Sequence, residues 1–244
     1  MRAVIMQAPG NVVVTETERP EIIEPTDAII ELAAACICGS DLWPYRGHDD
    51  ADNRHMGHEY VGTVVETGSA VTSVKPGDFV VGSFCISDNT CEICESGYQS
   101  RCVNGGFVGG TQAEFARVPQ ADGTLVVVPG GRPDDAGVLA SLLAASDVLG
   151  TGWFGAVAAE AGPGKTVAVV GDGAVGLLAI LAARELGAEK IIAMSRNPQR
   201  QALAREFGAT DIVEARGEEG ISQVKDLTNG LGAHSVVEAV GTQQ

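Results

Sequence analysis

Two periodicities divide this chain. Up to about Pro129, short runs rich in β-branched residues alternate with turn signals, and residues 11–15, 27–32, 62–66, 78–81 and 124–128 read as strands. Pro9-Gly10, Glu24-Pro25, Pro76-Gly77 and Pro129-Gly130 punctuate them. Helical spacing is nearly absent there, which predicts a mainly antiparallel β region with ample loop. After Arg132 the pattern changes. Residues 134–161 are Ala-rich and predict helix, interrupted at Gly150 and Gly152. Strands are predicted at 164–170, 191–194, 208–213 and 235–240, with helices at 174–186, 198–207 and 221–227 between them. Strand and helix in alternation predict right-handed βαβ units and a parallel sheet. The expected fold class is α/β: a mainly-β domain over 1–150, then a doubly wound parallel sheet over 151–244.

Composition narrows the partners. Acidic residues number 32 against 16 Lys plus Arg, a formal charge of −16 over 244 residues. Nucleic acid and anionic membrane both select a basic face, so neither is expected as a partner. No apolar run reaches the length of about 20 residues that spans a bilayer. The first ten residues turn polar too soon for a signal peptide. A cytoplasmic protein is therefore expected, with its six Cys reduced and directed to metal before disulfides.

Gly171-Asp172-Gly173-Ala174-Val175-Gly176 fits G-x-G-x-x-G between a predicted strand and a predicted helix. In that context the first glycine allows a tight turn and the second lets a pyrophosphate approach the backbone. The third lets helix and strand pack closely, and the free N–H groups of the helix start attract the phosphate. An acidic residue at the end of the second strand would hold the ribose 2′-OH of NAD. This chain has Ser195-Arg196 there, with Arg200 a turn on, a pattern that suits a 2′-phosphate and favours NADP over NAD. An exposed arginine on a loop is the alternative. A doubly wound dinucleotide domain has six strands, so a sheet of four reads as partial, with its last strands missing.

Three residues far apart in sequence have the chemistry of a catalytic zinc site: Cys38, His58 and Asp147. Thiolate, imidazole and carboxylate all ligate zinc, and three protein ligands leave one position for water or substrate. The stretch Cys38-Gly39-Ser40-Asp41, then Gly57-His58-Glu59 with Gly62, Gly68 and Val71, then the glycine motif, resembles the zinc-dependent medium-chain alcohol dehydrogenase superfamily. The resemblance covers essentially the whole chain. It implies a GroES-like catalytic domain followed by part of a Rossmann domain, and a homo-oligomer when full length. It also implies hydride transfer between an alcohol or carbonyl held at zinc and NADP(H). Cys38, His58 and Asp147 would bind the catalytic ion, with Glu59 beside it or exchanging onto it. Ser40 would pass the alcohol proton, and Asp41 would orient His58. The His that often follows Ser-Asp in relatives is replaced by Leu42-Trp43; His48 or water is the substitute.

The same resemblance implies a structural zinc lobe at Asp88, Cys91, Cys94 and Cys102, in which Asp88 stands where a fourth Cys is usual. Cys85 is the alternative donor, and an empty lobe with reduced thiols the other reading. Cys36 has no motif and reads as a small buried hydrophobe. Three further readings stand beside the alcohol/aldehyde oxidoreductase: a polyol, sugar or threonine dehydrogenase of the same superfamily, a zinc-free reductase of that superfamily, against which the complete Cys, His and Asp set argues, and a truncated, inactive zinc-binding fragment.

Overall fold

The computed structural model describes residues 1–241. The chain forms two compact units, one ending at Asp147 and the other starting at Val148.

The first unit is built on a five-stranded antiparallel sheet. Its order is Leu125–Val127, Phe79–Gly82, Tyr60–Thr67, Ala28–Ala35, Phe115–Val118. Alternate residues point to one face, so Ile30, Tyr60, Val64, Val80 and Val118 close on Val74, Val108 and Leu125 in a single apolar core. A three-stranded sheet of Asn11–Glu16, Arg2–Ala8 and Arg54–His55 lies in the same unit. A small lobe carries the pair Cys85–Ile86 and Gly106–Phe107 with the short helix Glu92–Glu95.

Strand pairing decides what meets at one end of the main sheet. Ala35 faces Tyr60, and Tyr60 faces Gly82. Residues leaving after Ala35, entering before Tyr60 and leaving after Gly82 therefore emerge together. A register shift between Leu32 and Ala34 sits just before that exit, and such bulges re-aim the residues that follow.

The second unit is a four-stranded parallel sheet, ordered Asp211–Val213, Lys190–Met194, Thr166–Val170, Ser235–Glu238. Its helices are Val148–Ala158, Ala174–Glu185, Pro198–Phe207 and Gly217–Asp226. The two central strands, Thr166–Val170 and Lys190–Met194, carry continuous Val/Ile/Ala runs buried on both faces, as the middle of a parallel sheet requires. Val167, Val169, Ile191 and Ala193 pack on Ala179, Ile180 and Ala183. Ala168, Ile192 and Val213 pack on Val224 and Leu227. Asn197 caps the third helix by accepting the Gln199 and Arg200 N–H groups, with Pro198 at its start.

Several predicted boundaries move, among them the strand expected at 208–213, which forms only over Asp211–Val213; three shifts have a visible cause. The Ala-rich segment is two helices, Ala136–Ala144 and Val148–Ala158, broken at residues 145–147 and not at Gly150 or Gly152. The cause is tertiary: the Phe84 N–H donates to the Ser146 carbonyl at 3.3 Å, and Asp147 is turned towards Cys38 and His58. The last helix begins at Gly217 instead of 221, with Glu218 and Glu219 favouring its positive end. The last strand stops at Glu238, whose carboxylate accepts the Val240 and Gly241 N–H groups and turns the chain.

Candidate active site

At the exit end of the main sheet, Cys38 Sγ lies 3.8 Å from Asp147 Oδ2, and His58 Nε2 lies 3.4 Å from the same oxygen. With one carboxylate oxygen of Glu59, these donor atoms all fall within 4.8 Å of one another. Ligands on a tetrahedral zinc, at about 2.0–2.3 Å from it, are about 3.3–3.8 Å apart. The donor set and its spacing therefore fit the ion. Electrostatics agree, because His58 is pushed up to about 10, first by Asp147 and then by Cys38, against the effect of burial. The cluster draws positive charge to its centre.

Neighbours fix the donors. Asp41 is 5 % exposed; its Oδ2 accepts the Cys38 N–H at 2.9 Å and its Oδ1 faces His58 Nδ1 at 3.8 Å, ion-pair range. Gly57 has φ +95°, and a Cβ there would strike the backbone and side chain of Gln112 and Thr111, so only glycine delivers His58 along this path. Ser40 lies exposed on the turn Gly39–Asp41. Glu59 is 2 % exposed, and its Oε2 accepts the Cys36 thiol at 3.0 Å. Burial, then that bond to Glu59, pushes Cys36 up to about 12. Reading Cys36 as a mere small hydrophobe is thus corrected: it is a polar donor. Phe84 packs edge-on to His58 at 6.4 Å and stacks on Phe107 at 6.1 Å. Trp43 is 41 % exposed and lies edge-on to the exposed His48.

In the lobe, the donor atoms of Asp88, Cys91, Cys94 and Cys102 likewise all lie within 4.8 Å. Cys91 and Cys102 sulfurs are 3.9 Å apart, near the ~3.8 Å edge of a tetrahedron with Zn–S of about 2.3 Å. Asp88 is aimed by the Thr90 and Cys91 N–H groups on Oδ1 and by Asn104 on Oδ2. Those bonds, the Thr90 one first, hold its carboxyl well below the usual range, so it stays anionic with lone pairs to spare. Burial, then Cys91 and Cys102, push Cys94 up to about 12, while backbone N–H groups pull Cys91 down. All six cysteines are free thiols. Cys85 is buried in its strand and outside this group.

The glycine motif lies where expected, between Thr166–Val170 and Ala174–Glu185. Gly173 precedes the helix without a side-chain cap, so the Ala174, Val175 and Gly176 N–H groups have no intrahelical partner. A Cβ at Gly176 would collide with the Gly171 carbonyl, while one at Gly173 would meet nothing within 4 Å. Beside them opens a cavity of about 640 Å³ lined by Gly171, Asp172, Gly173, Ser195, Arg196, Arg200, Glu214, Arg216 and Glu238, among others. Sequence reasoning missed Asp172 and Arg216. Asp172 accepts Ser195 Oγ at 2.7 Å and Arg200 Nη1 at 2.9 Å. Burial would raise its carboxyl, but these two bonds prevail and lower it. The signal was available: in a parallel sheet Val170 pairs with Met194, so residues just beyond each are neighbours.

Comparison with known proteins follows the same division. Residues 24–130 match the alcohol dehydrogenase GroES-like domain family, and residues 174–244 the zinc-binding dehydrogenase family. The medium chain reductase/dehydrogenase ucsI of Acremonium sp is 40 % identical over 99 % of this chain and 86 % of its own length. The zinc-type alcohol dehydrogenase B of Aspergillus flavus is 38 % identical over 99 % of this chain, which spans 58 % of that protein. The solved alcohol dehydrogenase TADH from Thermus sp. ATN1 superposes with a TM-score of 0.86 at 36 % identity, covering 99 % of this chain and 71 % of that one.

Proposed function

This chain belongs to the zinc-dependent medium-chain alcohol dehydrogenase superfamily, and from that premise we propose that it is an alcohol/carbonyl oxidoreductase with zinc at Cys38, His58 and Asp147 and a preference for NADP(H). One observation carries the reading: donor atoms from three distant segments, at Cys38, at His58 with Glu59, and at Asp147, converge within 4.8 Å.

Zinc, when bound, polarises an alcohol or carbonyl oxygen and lowers the pKa of an alcohol. The chain's own residues do the rest. Asp41 holds the Cys38 backbone and faces His58 Nδ1, which leaves Nε2 as the ligating nitrogen. Ser40 takes the alcohol proton, and its exposure gives that proton a way to solvent. Phe84, edge-on to His58, supplies an apolar wall for the carbon skeleton of the substrate. Glu59 is the fourth donor and competes with substrate oxygen for the open position. The bare helix start at Ala174–Gly176 binds the pyrophosphate. Asp88, Cys91, Cys94 and Cys102 hold a second, structural zinc.

The preference for NADP rests on charge pairing around the 640 Å³ cavity. Each of its carboxylates is already engaged: Asp172 with Ser195 and Arg200, Glu214 with Gln201, and Glu238 with backbone N–H groups. Arg196 and Arg216 line the same space with no ion-pair partner among the described residues. A 2′-phosphate would pair with them. Small alcohols or carbonyls as substrates, a cytoplasmic location and assembly into a homo-oligomer belong to the same proposal. Purified protein should hold two zinc ions and form NADPH from an alcohol panel, while Cys38→Ala should lose one zinc and turnover at least 10³-fold. Unchanged zinc content and rate in Cys38→Ala would remove the assignment.

A further inference from the structure

Resting on that zinc assignment, we propose that Cys36 is a positioning residue: its thiol holds the Glu59 carboxylate short of the open ligand position and so sets how firmly Glu59 competes with substrate oxygen. The argument begins with register. Ala35 faces Tyr60, so the next residues out, Cys36 and Glu59, face each other across the sheet end. The sulfur reaches Glu59 Oε2 at 3.0 Å. A thiol at neutral pH is mostly protonated and serves as a donor, and an ionised acceptor strengthens the bond.

Glu59 is 2 % exposed, and among the described residues the Cys36 thiol is the one side-chain donor bonded to its carboxylate. No lysine or arginine pairs with it among those residues. A buried carboxylate with a single neutral donor is poorly compensated. Two groups can satisfy it: the thiol, or the cation that Cys38, His58 and Asp147 hold within reach of one of its oxygens. The thiol draws the carboxylate's charge towards Cys36. Without it, Glu59 has only the cation to turn to, and the fourth position closes against substrate.

The test uses the full chain as wild type, Cys36→Ser and Cys36→Ala, each alone and with Glu59→Gln. Metal release to a chromophoric chelator, the visible spectrum of the cobalt-substituted protein, and KM and kcat for an alcohol are measured. Loss of one charge-assisted bond is expected to slow metal release and raise KM by about tenfold in Cys36→Ala, with kcat changed less. Its cobalt bands should shift as Glu59 enters the coordination sphere. Cys36→Ser, which keeps a donor, should behave as wild type, and Glu59→Gln should abolish the effect of Cys36→Ala. The proposal falls if Cys36→Ala matches wild type in spectrum and metal release. It also falls if Cys36→Ser is as altered as Cys36→Ala, or if the alanine effect survives in Glu59→Gln. Equal zinc content in wild type and Cys38→Ala would instead overturn the zinc assignment itself, and the proposal with it.

Discussion

In the proposed reading, single side chains in the second unit set cofactor choice through their pairing. Asp172 uses Ser195 and Arg200, whereas Arg196 and Arg216 remain open to the cavity. Arg216→Ala should therefore weaken NADP by about tenfold, the loss of one charge-assisted contact, with NAD unchanged in the same titration. Ser195→Asp with Arg196→Ala should reverse the preference by placing a carboxylate against the ribose. Equal losses for both cofactors would count against a 2′-phosphate contact. In the first unit, Asp122 ties a turn together: its two oxygens accept N–H and O–H groups from Thr72 and Ser73. Burial works to raise its carboxyl, yet these bonds outweigh it and bring the group down to about 2. A lowered carboxylate contributes stability above its unfolded value of about 4 and loses it as pH falls towards about 2. Asp122→Asn should cost about 1 kcal/mol at pH 7 and nearly nothing at pH 2, read from denaturant midpoints.

At the scale of elements, the turn from strand to helix separates packing from binding. Gly176 lies where the helix passes the Gly171 carbonyl, so Gly176→Ala forces helix and strand apart and should destabilise the second unit by about 1–3 kcal/mol. Gly173 has open space around it, so Gly173→Ala should melt as wild type while weakening dinucleotide binding. Calorimetry with a binding titration separates the two; a dinucleotide affinity untouched in Gly173→Ala would exclude the helix start as the pyrophosphate cradle. Elements also explain the break at residues 145–147. Capping by Asp135 and a run of Ala and Leu favour one continuous helix, and the pull of Asp147 towards Cys38 and His58 ends it.

Across the molecule, both clusters of metal donors fall within Met1–Asp147 and the dinucleotide cavity within the second unit. Ligand effects on stability should divide accordingly. At zinc about 100 to 1,000 times above its Kd, binding adds about 3–4 kcal/mol to whichever unit holds it. Chelation should therefore lower the melting of the first unit, and NADP raise that of the second. Melting left unchanged by chelation would count against metal at the donor clusters, and melting left unchanged by NADP against binding in the cavity. No single helix among the described residues is long and apolar enough to cross a membrane.

What the sequence determined by itself is local in origin. Period-2 runs and Pro-Gly turns specify the β region, β-α alternation specifies the parallel sheet, and Gly-x-Gly-x-x-Gly specifies its first turn, because each depends on neighbours a few residues away. Cys38, His58 and Glu59 were legible because short motifs carry them. Tertiary structure alone decided that Cys36 bonds Glu59, that Asp147 breaks a helix, and that Asp172 occupies Ser195 and Arg200. Those partners are separated by 23 to 109 positions. For Cys36 with Glu59 and Asp172 with Ser195, which residues meet is set by strand register, where a shift of one residue turns every side chain to the opposite face.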